Sequence, residues 1–285
     1  MNSSRGLNEK KTEVREFQTS DSGIFFKVDR VLFEGKSRYQ SIEIIHNKEF
    51  GRVLLLDGLV QTTEKDEFYY HEMLVHPALA SHSEPGDVLI IGGGDGGTLR
   101  EVLKHPVRKV RMVEIDARVV EACQEHFGWL RTALRDERSE LIIADGNTFL
   151  DETDLKFDVV IVDSSDPVGP SRVLHQEAFY RKLRSRLKEG GIVAAQAGSL
   201  MLHVDSHARK RIFLEKIFRF SRIYIGPAPT YPVGTWCYDF LSDRIDPLRG
   251  ETLRIPEGLK FFNAEIHRAA FALPNFLRDR LSPLT

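Results

Sequence analysis

The segment Val88-Leu89-Ile90-Ile91-Gly92-Gly93-Gly94-Asp95-Gly96-Gly97 constrains the fold of this chain more than any other. Four consecutive apolar residues run into a turn with five glycines, and a helical pattern follows from about Thr98 to Lys104. So short an apolar run reads as a strand buried on both faces. The glycines let the backbone turn tightly and approach a ligand at the carboxyl end of that strand. Strand and helix patterns then keep alternating. Lys109 to Ile115 reads as a strand, Arg118 to His126 as a helix, and Leu141 to Ala144 and Phe157 to Val162 as strands. His175 to Lys188 reads as a helix closed by Gly190-Gly191, Ile192 to Ala197 as a strand and Val204 to Phe218 as a helix. This order predicts an α/β domain whose parallel sheet is wrapped by helices.

Residues 1–75 read differently. Ile24 to Phe33, Ile42 to His46, Val53 to Leu56 and Leu59 to Thr63 are rich in Val, Ile, Phe and Thr. Their separators, Glu34-Gly35, His46-Asn47-Lys48 and Asp57-Gly58, are turn-like. Asp-Gly between apolar runs is a strong two-residue hairpin signal, so a small antiparallel β domain is expected. Glu64 to Leu74 places acids before apolar residues, as a helix dipole favours, and Pro77 is expected to break or restart that helix. The expected domains are therefore 1–75, a β domain with its bridging helix, and 76–285, the α/β domain. With 40 Lys+Arg and 42 Asp+Glu the net charge is −2, which argues against bulk attraction to nucleic acid. Two cysteines, Cys123 and Cys237, exclude a disulfide scaffold. No apolar run approaches the ~18 residues that span a membrane. Met1 to Lys11 is polar, without the apolar core of a signal peptide, and a cytoplasmic enzyme is expected.

Acids at strand ends point to the chemistry. Glu114 lies 22 residues after Gly92, where an acid accepts hydrogen bonds from a ribose diol. Together with the glycine loop it predicts a nucleoside or dinucleotide site. Asp145-Gly146 ends the next strand, where an acid can meet an adenine amino group. Asp95, inside the loop, is unfavourable beside a pyrophosphate but suits a ligand with a cationic arm, such as an adenosyl-sulfonium compound. Asp163-Ser164-Ser165-Asp166-Pro167-Val168-Gly169-Pro170 follows the apolar run Val159 to Val162. Its two carboxylates can hold a cation or act as a base, and crowding them without a cation is costly. His71 and His76 are wrongly spaced for a zinc pair, and no metal site is expected. Taken singly, Tyr70, Tyr231 and His71 read as core residues, Trp129 and Trp236 as packing, and both cysteines as buried thiols.

Taken in order, several segments carry a resemblance. They are Tyr39-Gln40, Leu56-Asp57-Gly58 with Val60-Gln61, Thr63 to Met73, Gly92 to Gly97, Glu114-Ile115-Asp116, Asp163 to Pro170, Pro229-Thr230-Tyr231-Pro232 and His267 to Phe271. The chain resembles the spermidine synthase family of polyamine aminopropyltransferases. The resemblance implies a Rossmann-like, methyltransferase-type sheet behind a small N-terminal antiparallel β domain. It implies transfer of an aminopropyl group from decarboxylated S-adenosylmethionine, a co-substrate, to a primary amine, usually putrescine. Methylthioadenosine and a proton are the by-products, and no cofactor is implied. It assigns Gln40 and Glu114 to the methylthioadenosine part, Asp145 and Gly146 to the adenine with Pro170 nearby, and Gly92 and Gly94 to the donor loop. Asp95 and Asp163 would hold the aminopropyl amine. Gln61, Tyr70, His71, Asp166 and Tyr231 would line the acceptor pocket, with Asp163 as proton acceptor and Tyr70 orienting the nitrogen. The resemblance also implies a homodimer or homotetramer.

Two departures bear on the acceptor. Val14 stands where several relatives carry Trp, and Ala228 where many carry Ile. Smaller side chains there would widen the distal end of the pocket, so agmatine, cadaverine or spermidine compete with putrescine as acceptor. An amine N-methyltransferase is a rival of another class, but Asp95 and Asp163 would repel the carboxylate of intact S-adenosylmethionine. A polyamine-binding protein on an inactive scaffold would have no need of Asp163, Tyr70 and Asp95 together.

Overall fold

The computed structural model describes residues 11–164, 169–249 and 253–281. The chain divides into two units, Met1–Lys65 and Asp66–Thr285. In the first, β1 (Glu13–Phe17) and β2 (Gly23–Lys27) form a hairpin. The strands β3 (Arg30–Lys36), β4 (Ser41–Asn47), β5 (Gly51–Leu56) and β6 (Leu59–Thr63) form an antiparallel sheet in sequence order. Asp57 and Gly58 have φ of 49° and 78°, the positive signs that a type I′ turn requires of both central residues. The expected strand from Ile24 to Phe33 is two strands. Val28 donates to Thr12 at the end of one pairing, and Asp29 donates to His46 at the start of the next. Alternation alone gives no sign of that change of partner. Val14 packs with Phe26, Ile45, Val53, Leu55 and Val60 in the core of this unit.

The second unit begins with α1 (Glu67–Ser81), the helix expected to close the first domain. The helix packs against other elements of its own unit and is buried along most of its length, which moves the boundary to Lys65 and Asp66. Pro77 lies inside α1 and does not break it. A proline there cannot donate to the carbonyl four residues earlier. That carbonyl, Met73 O, accepts instead from the Tyr224 hydroxyl at 2.9 Å. Glu72, also on α1, accepts from the backbone N–H groups of Lys260, Phe261 and Phe262, each at 2.8 Å, and so ties the C-terminal segment to the helix.

The alternating elements follow as β7 (Asp87–Gly92), α2 (Gly97–Leu103), β8 (Lys109–Glu114), α3 (Ala117–His126), α4 (Gly128–Ala133), β9 (Ser139–Ile143), α5 (Gly146–Glu152) and β10 (Phe157–Asp163). After a 3₁₀ turn over Gly169–His175 come α6 (Glu177–Ser185), β11 (Leu187–Ser199), α7 (Val204–Ile217), β12 (Phe220–Pro227), β13 (Thr235–Ser242), α8 (Ala264–Ala270) and α9 (Asn275–Leu281). The sheet order is β12-β13-β11-β10-β7-β8-β9. β7 to β11 run parallel, and β13 is antiparallel to both neighbours. Alternate residues of the central strands, among them Leu89, Ile91, Val160, Val162, Val193 and Ala195, pack with Phe179 and Leu183 of α6 and Leu214 and Ile217 of α7. The helix expected to reach Lys188 ends at Ser185, and Gly190-Gly191 lie within β11, where Gly190 takes φ +78°. Arg186 N already closes α6 by donating to carbonyls of its last turn. Among the described residues no helix is long and apolar enough to cross a membrane.

Candidate active site

The strand order reverses between β7 and β10, and open α/β sheets bind ligands in the crevice at such a switch point. Gly92 at the end of β7 is the register partner of Asp163 at the end of β10. Gly93 N donates to Asp163 O at 2.9 Å. Gly92 has φ +86°, and a Cβ there would stand 2.1 Å from the same carbonyl. Only glycine allows the two strand ends to approach this closely.

Asp163 is held by two hydroxyls. Tyr70 Oη donates to Oδ1 at 2.8 Å, and Thr98 Oγ1 donates to Oδ2 at 2.6 Å. Burial raises the Asp163 pKa above the ordinary carboxylate value. Asp95 adds to that rise, while His71 and the two hydroxyls oppose it. Burial, with Asp163 next to it, also pushes the Tyr70 hydroxyl well above 10, so it stays a donor. Tyr231 lies against Tyr70, ring centroids 5.5 Å apart, and Tyr238 lies 5.8 Å from Tyr70. The loop carrying Tyr231 is pinned by Asp66, which accepts from Thr230 N at 2.9 Å and Thr230 Oγ1 at 2.7 Å.

Asp95 Oδ1 accepts from Gly97 N at 2.8 Å, and its Oδ2 lies 3.4 Å from His71 Nε2. The indole of Trp129 donates to Asp95 O at 2.9 Å, so this tryptophan anchors the loop as well as packing. On the other side of His71, Nδ1 lies 2.8 Å from Glu67 Oε2, which also takes Arg100 Nη2 at 2.6 Å.

Glu114 ends β8 and is buried, with Asp116 N donating to it at 2.9 Å. Burial pushes its carboxyl up to about 7. Gly94 stands over it: a Cβ there would lie 3.1 Å from Glu114 Oε2. Asp145 and Gly146 follow β9, where Asp145 caps α5 by accepting from Thr148 N at 2.9 Å. Pro170 falls in the 3₁₀ turn after β10, and Asp166 lies outside the described residues. Gln40 and Gln61 belong to the first unit. Gln40 O accepts from Ser37 N at 2.9 Å, and Gln61 Nε2 donates to Leu59 O at 3.1 Å within β6.

Sequence reasoning missed Thr98, Arg100, and the roles of Glu67 and Asp66. A hydroxyl in the first turn after a glycine loop was a signal for Thr98. Arg100 and Asp66 act through contacts remote in sequence, and Glu67 joins a distant partner, Arg100, to a local one, His71, one helical turn on. It also gave Trp236 packing alone, whereas its indole donates to Gln196 Oε1 at 3.1 Å and Gln196 Nε2 donates to Ser164 O at 2.8 Å. Trp236 meets Tyr231 edge-on at 4.9 Å. The pair thus braces the residue after Asp163 and the ring beside Tyr70. Cys123 and Cys237 are buried free thiols.

Comparison with known proteins agrees with this geometry. Residues 67–247 match the spermine/spermidine synthase domain, and residues 14–64 match the spermidine synthase tetramerisation domain. The polyamine aminopropyltransferase of Caldicellulosiruptor bescii is 44% identical over 268 residues, 93% of this chain and 96% of that protein. The one from Shouchella clausii is 41% identical over 268 residues, 93% of this chain and 98% of its own length. A spermidine synthase crystal structure in complex with the transition-state analogue AdoDATO superposes with a TM-score of 0.90 at 40% identity, covering 94% of each chain. Spermidine synthase from Thermotoga maritima gives 0.89 at the same identity and coverage. Fold, crevice and relatives agree that the chain is an enzyme and belongs to the spermidine synthase family of polyamine aminopropyltransferases.

Proposed function

We propose that the chain transfers the aminopropyl group of decarboxylated S-adenosylmethionine to putrescine, yielding spermidine and methylthioadenosine. The observation that carries this reading is the half-buried Asp163 carboxylate with one hydroxyl on each oxygen, at the switch point of the sheet. Attack on a carbon beside a sulfonium expels a neutral thioether, so no acid is needed for the leaving group. The obstacle is the nucleophile. An alkyl amine with a pKa of about 10.4 needs ~3.4 units, roughly 4.6 kcal/mol, to lose its proton at pH 7. Asp163 binds the ammonium and takes its proton as nitrogen attacks, and its raised pKa brings it nearer to that task. Tyr70 orients the nitrogen. Alignment of nitrogen, carbon and sulfur supplies the remainder.

Glu114 receives the ribose diol, whose two O–H groups would replace the water that the buried carboxyl has lost. Gly92 and Gly94 give the donor its approach, Asp145, Gly146 and Pro170 take the adenine end, and Asp95 is proposed to accept a hydrogen bond from the aminopropyl ammonium. Gln40 is proposed for the methylthioadenosine part, and Gln61, Asp166 and Tyr231 for the acceptor. The reaction needs no cofactor. The match to a tetramerisation domain supports a homo-oligomer, proposed as a tetramer, and we place the enzyme in the cytoplasm.

Product analysis tests the reading. Purified protein would meet decarboxylated S-adenosylmethionine with putrescine, cadaverine, agmatine or spermidine, and intact S-adenosylmethionine in parallel. Spermidine with methylthioadenosine as the main product is expected. Preference for another amine would move the acceptor and keep the mechanism. Product from the intact donor alone would overturn the charge argument at Asp95. Asp163→Asn is expected to lower kcat ~10²- to 10⁴-fold, and full turnover by that variant would remove Asp163 as the base.

A further inference from the structure

His71 sits between two carboxylates, one on each ring nitrogen: Glu67 Oε2 at 2.8 Å from Nδ1 and Asp95 Oδ2 at 3.4 Å from Nε2. A neutral imidazole has one N–H and one lone pair, so one carboxylate would face a lone pair. Only the imidazolium donates to both. The groups around it are arranged to keep that state. Glu67 is buried and also takes Arg100 Nη2 at 2.6 Å, while Arg100 Nε reaches Glu101 at 2.8 Å. Glu101 in turn meets Lys104, and His76 Nε2 at 3.0 Å. Charges therefore alternate along Lys104, Glu101, Arg100, Glu67, His71 and Asp95, with Trp129 under Arg100 at 5.5 Å and bonded to the Asp95 carbonyl. The ring occupies space that glycine leaves: a Cβ on Gly97 would lie 2.1 Å from it.

We infer that Glu67 is a positioning residue that fixes His71 as the charged partner of Asp95, so that His71 orients this carboxylate instead of binding the acceptor amine through a ring lone pair. The inference deepens the function proposed above and rests on it for the kinetic consequence only. Asp163, bonded to two hydroxyls, is paired with no cation among the described residues, and is the carboxylate left for the incoming ammonium. The charged groups facing the ring are Glu67 from α1, Asp95 from the loop after β7 and Asp163 from β10, with Arg100 of α2 behind Glu67. Burial alone would lower the His71 pKa. Asp95 and Glu67 outweigh it and raise the value well above 6.5.

The test is a ¹⁵N titration of the full-length protein labelled at histidine, with His71 assigned by its absence in His71→Asn, beside steady-state kinetics of Glu67→Gln. In the wild type both ring nitrogens are expected to stay protonated at pH 8. In Glu67→Gln the ring should lose its proton below pH 8, and kcat should fall ~10²-fold as the site loses its alignment, with the acceptor KM little changed. The acid limb of the rate profile should move to higher pH, because a neutral His71 no longer opposes the rise at Asp163. A neutral His71 in the wild type at pH 7 would overturn the inference, even if Glu67→Gln failed to fold. So would a folded Glu67→Gln with unchanged ring charge and rate. Should the wild type transfer no aminopropyl group, the function proposed above fails while the titration still decides the charge of His71.

Discussion

Replacing Glu114 by Gln should make the ligand-free protein more stable while removing its grip on the donor. Glu114 is 8% exposed, and its folded carboxyl titrates near 7 against 4.5 for a free one. Because the folded value is raised, the stability this group contributes is fully present below pH 4.5 and is lost as pH rises through about 7. A shift from 4.5 to about 7 corresponds to about 3 kcal/mol at ~1.4 kcal/mol per unit. Gln keeps the shape and the acceptor for Asp116 N and carries no charge at any pH. Thermal or urea unfolding of both proteins at pH 4 and pH 8 is the assay. At pH 4 the two should match closely. At pH 8 the variant should be more stable by about 3 kcal/mol, a Tm gain of roughly 6 °C at ~2 °C per kcal/mol. Calorimetry with methylthioadenosine should show weaker binding by the variant, since the charged acceptor for the ribose diol is gone. A stability difference that does not change with pH would refute the reasoning, because it would mean that burial imposes no cost on the ionised form.

Three further predictions follow from other contacts. Thr98→Val keeps the volume and removes the donor to Asp163 Oδ2, so the Asp163 pKa should rise further; the acid limb of kcat/KM should move to higher pH and the rate at pH 7 fall roughly tenfold or more. An unmoved pH profile would separate Thr98 from the base. Tyr224→Phe leaves the Met73 carbonyl without the hydroxyl that replaces the missing Pro77 N–H; denaturant unfolding should show a loss of about 1–3 kcal/mol with activity unchanged. Val233, a β-branched residue at φ +70° in the Tyr231 loop, carries backbone strain, so Val233→Gly should gain about 1 kcal/mol in the same assay.

The parts of the fold legible in the sequence are those set by local rules. The Val88 to Gly97 segment placed the first strand, the turn and the crevice, because an apolar run and a run of glycines each permit few conformations. The positive φ of both Asp57 and Gly58 follows from the same kind of signal. What was not legible depends on partners far along the chain. Nothing near Pro77 announces that Tyr224 will satisfy the carbonyl it frees. Nothing near Asp66 or Glu72 announces that each will accept backbone N–H groups from a segment more than a hundred residues later. The acids at the start of α1 read equally well as dipole complements, yet Asp66 goes to Thr230 and Glu67 to His71 and Arg100. Resemblance assigned His71 to the acceptor pocket, and residue type alone made it a core histidine. The two carboxylates on its ring give it a third part, visible only when Glu67 and Asp95 are brought to opposite nitrogens.

A chain with a net charge of −2 can still select polycationic ligands, because what matters is which acids lack a cation of their own. Glu67 and Glu101 are acidic and buried beside the crevice, yet arginine, lysine and histidine hold both far below the ordinary carboxylate range. They add no attraction for a ligand. Asp163 and Glu114 are the opposite case: burial raises both, and nothing cationic meets either within ion-pair distance among the described residues. Desolvated acids of this kind destabilise the empty enzyme and are relieved only when a ligand brings compensating groups, an ammonium at one and a sugar diol at the other. The destabilisation thereby becomes binding selectivity, since a ligand without those groups leaves the cost in place. On this argument the substitutions that most improve the stability of the free protein at the crevice should be those that most damage turnover.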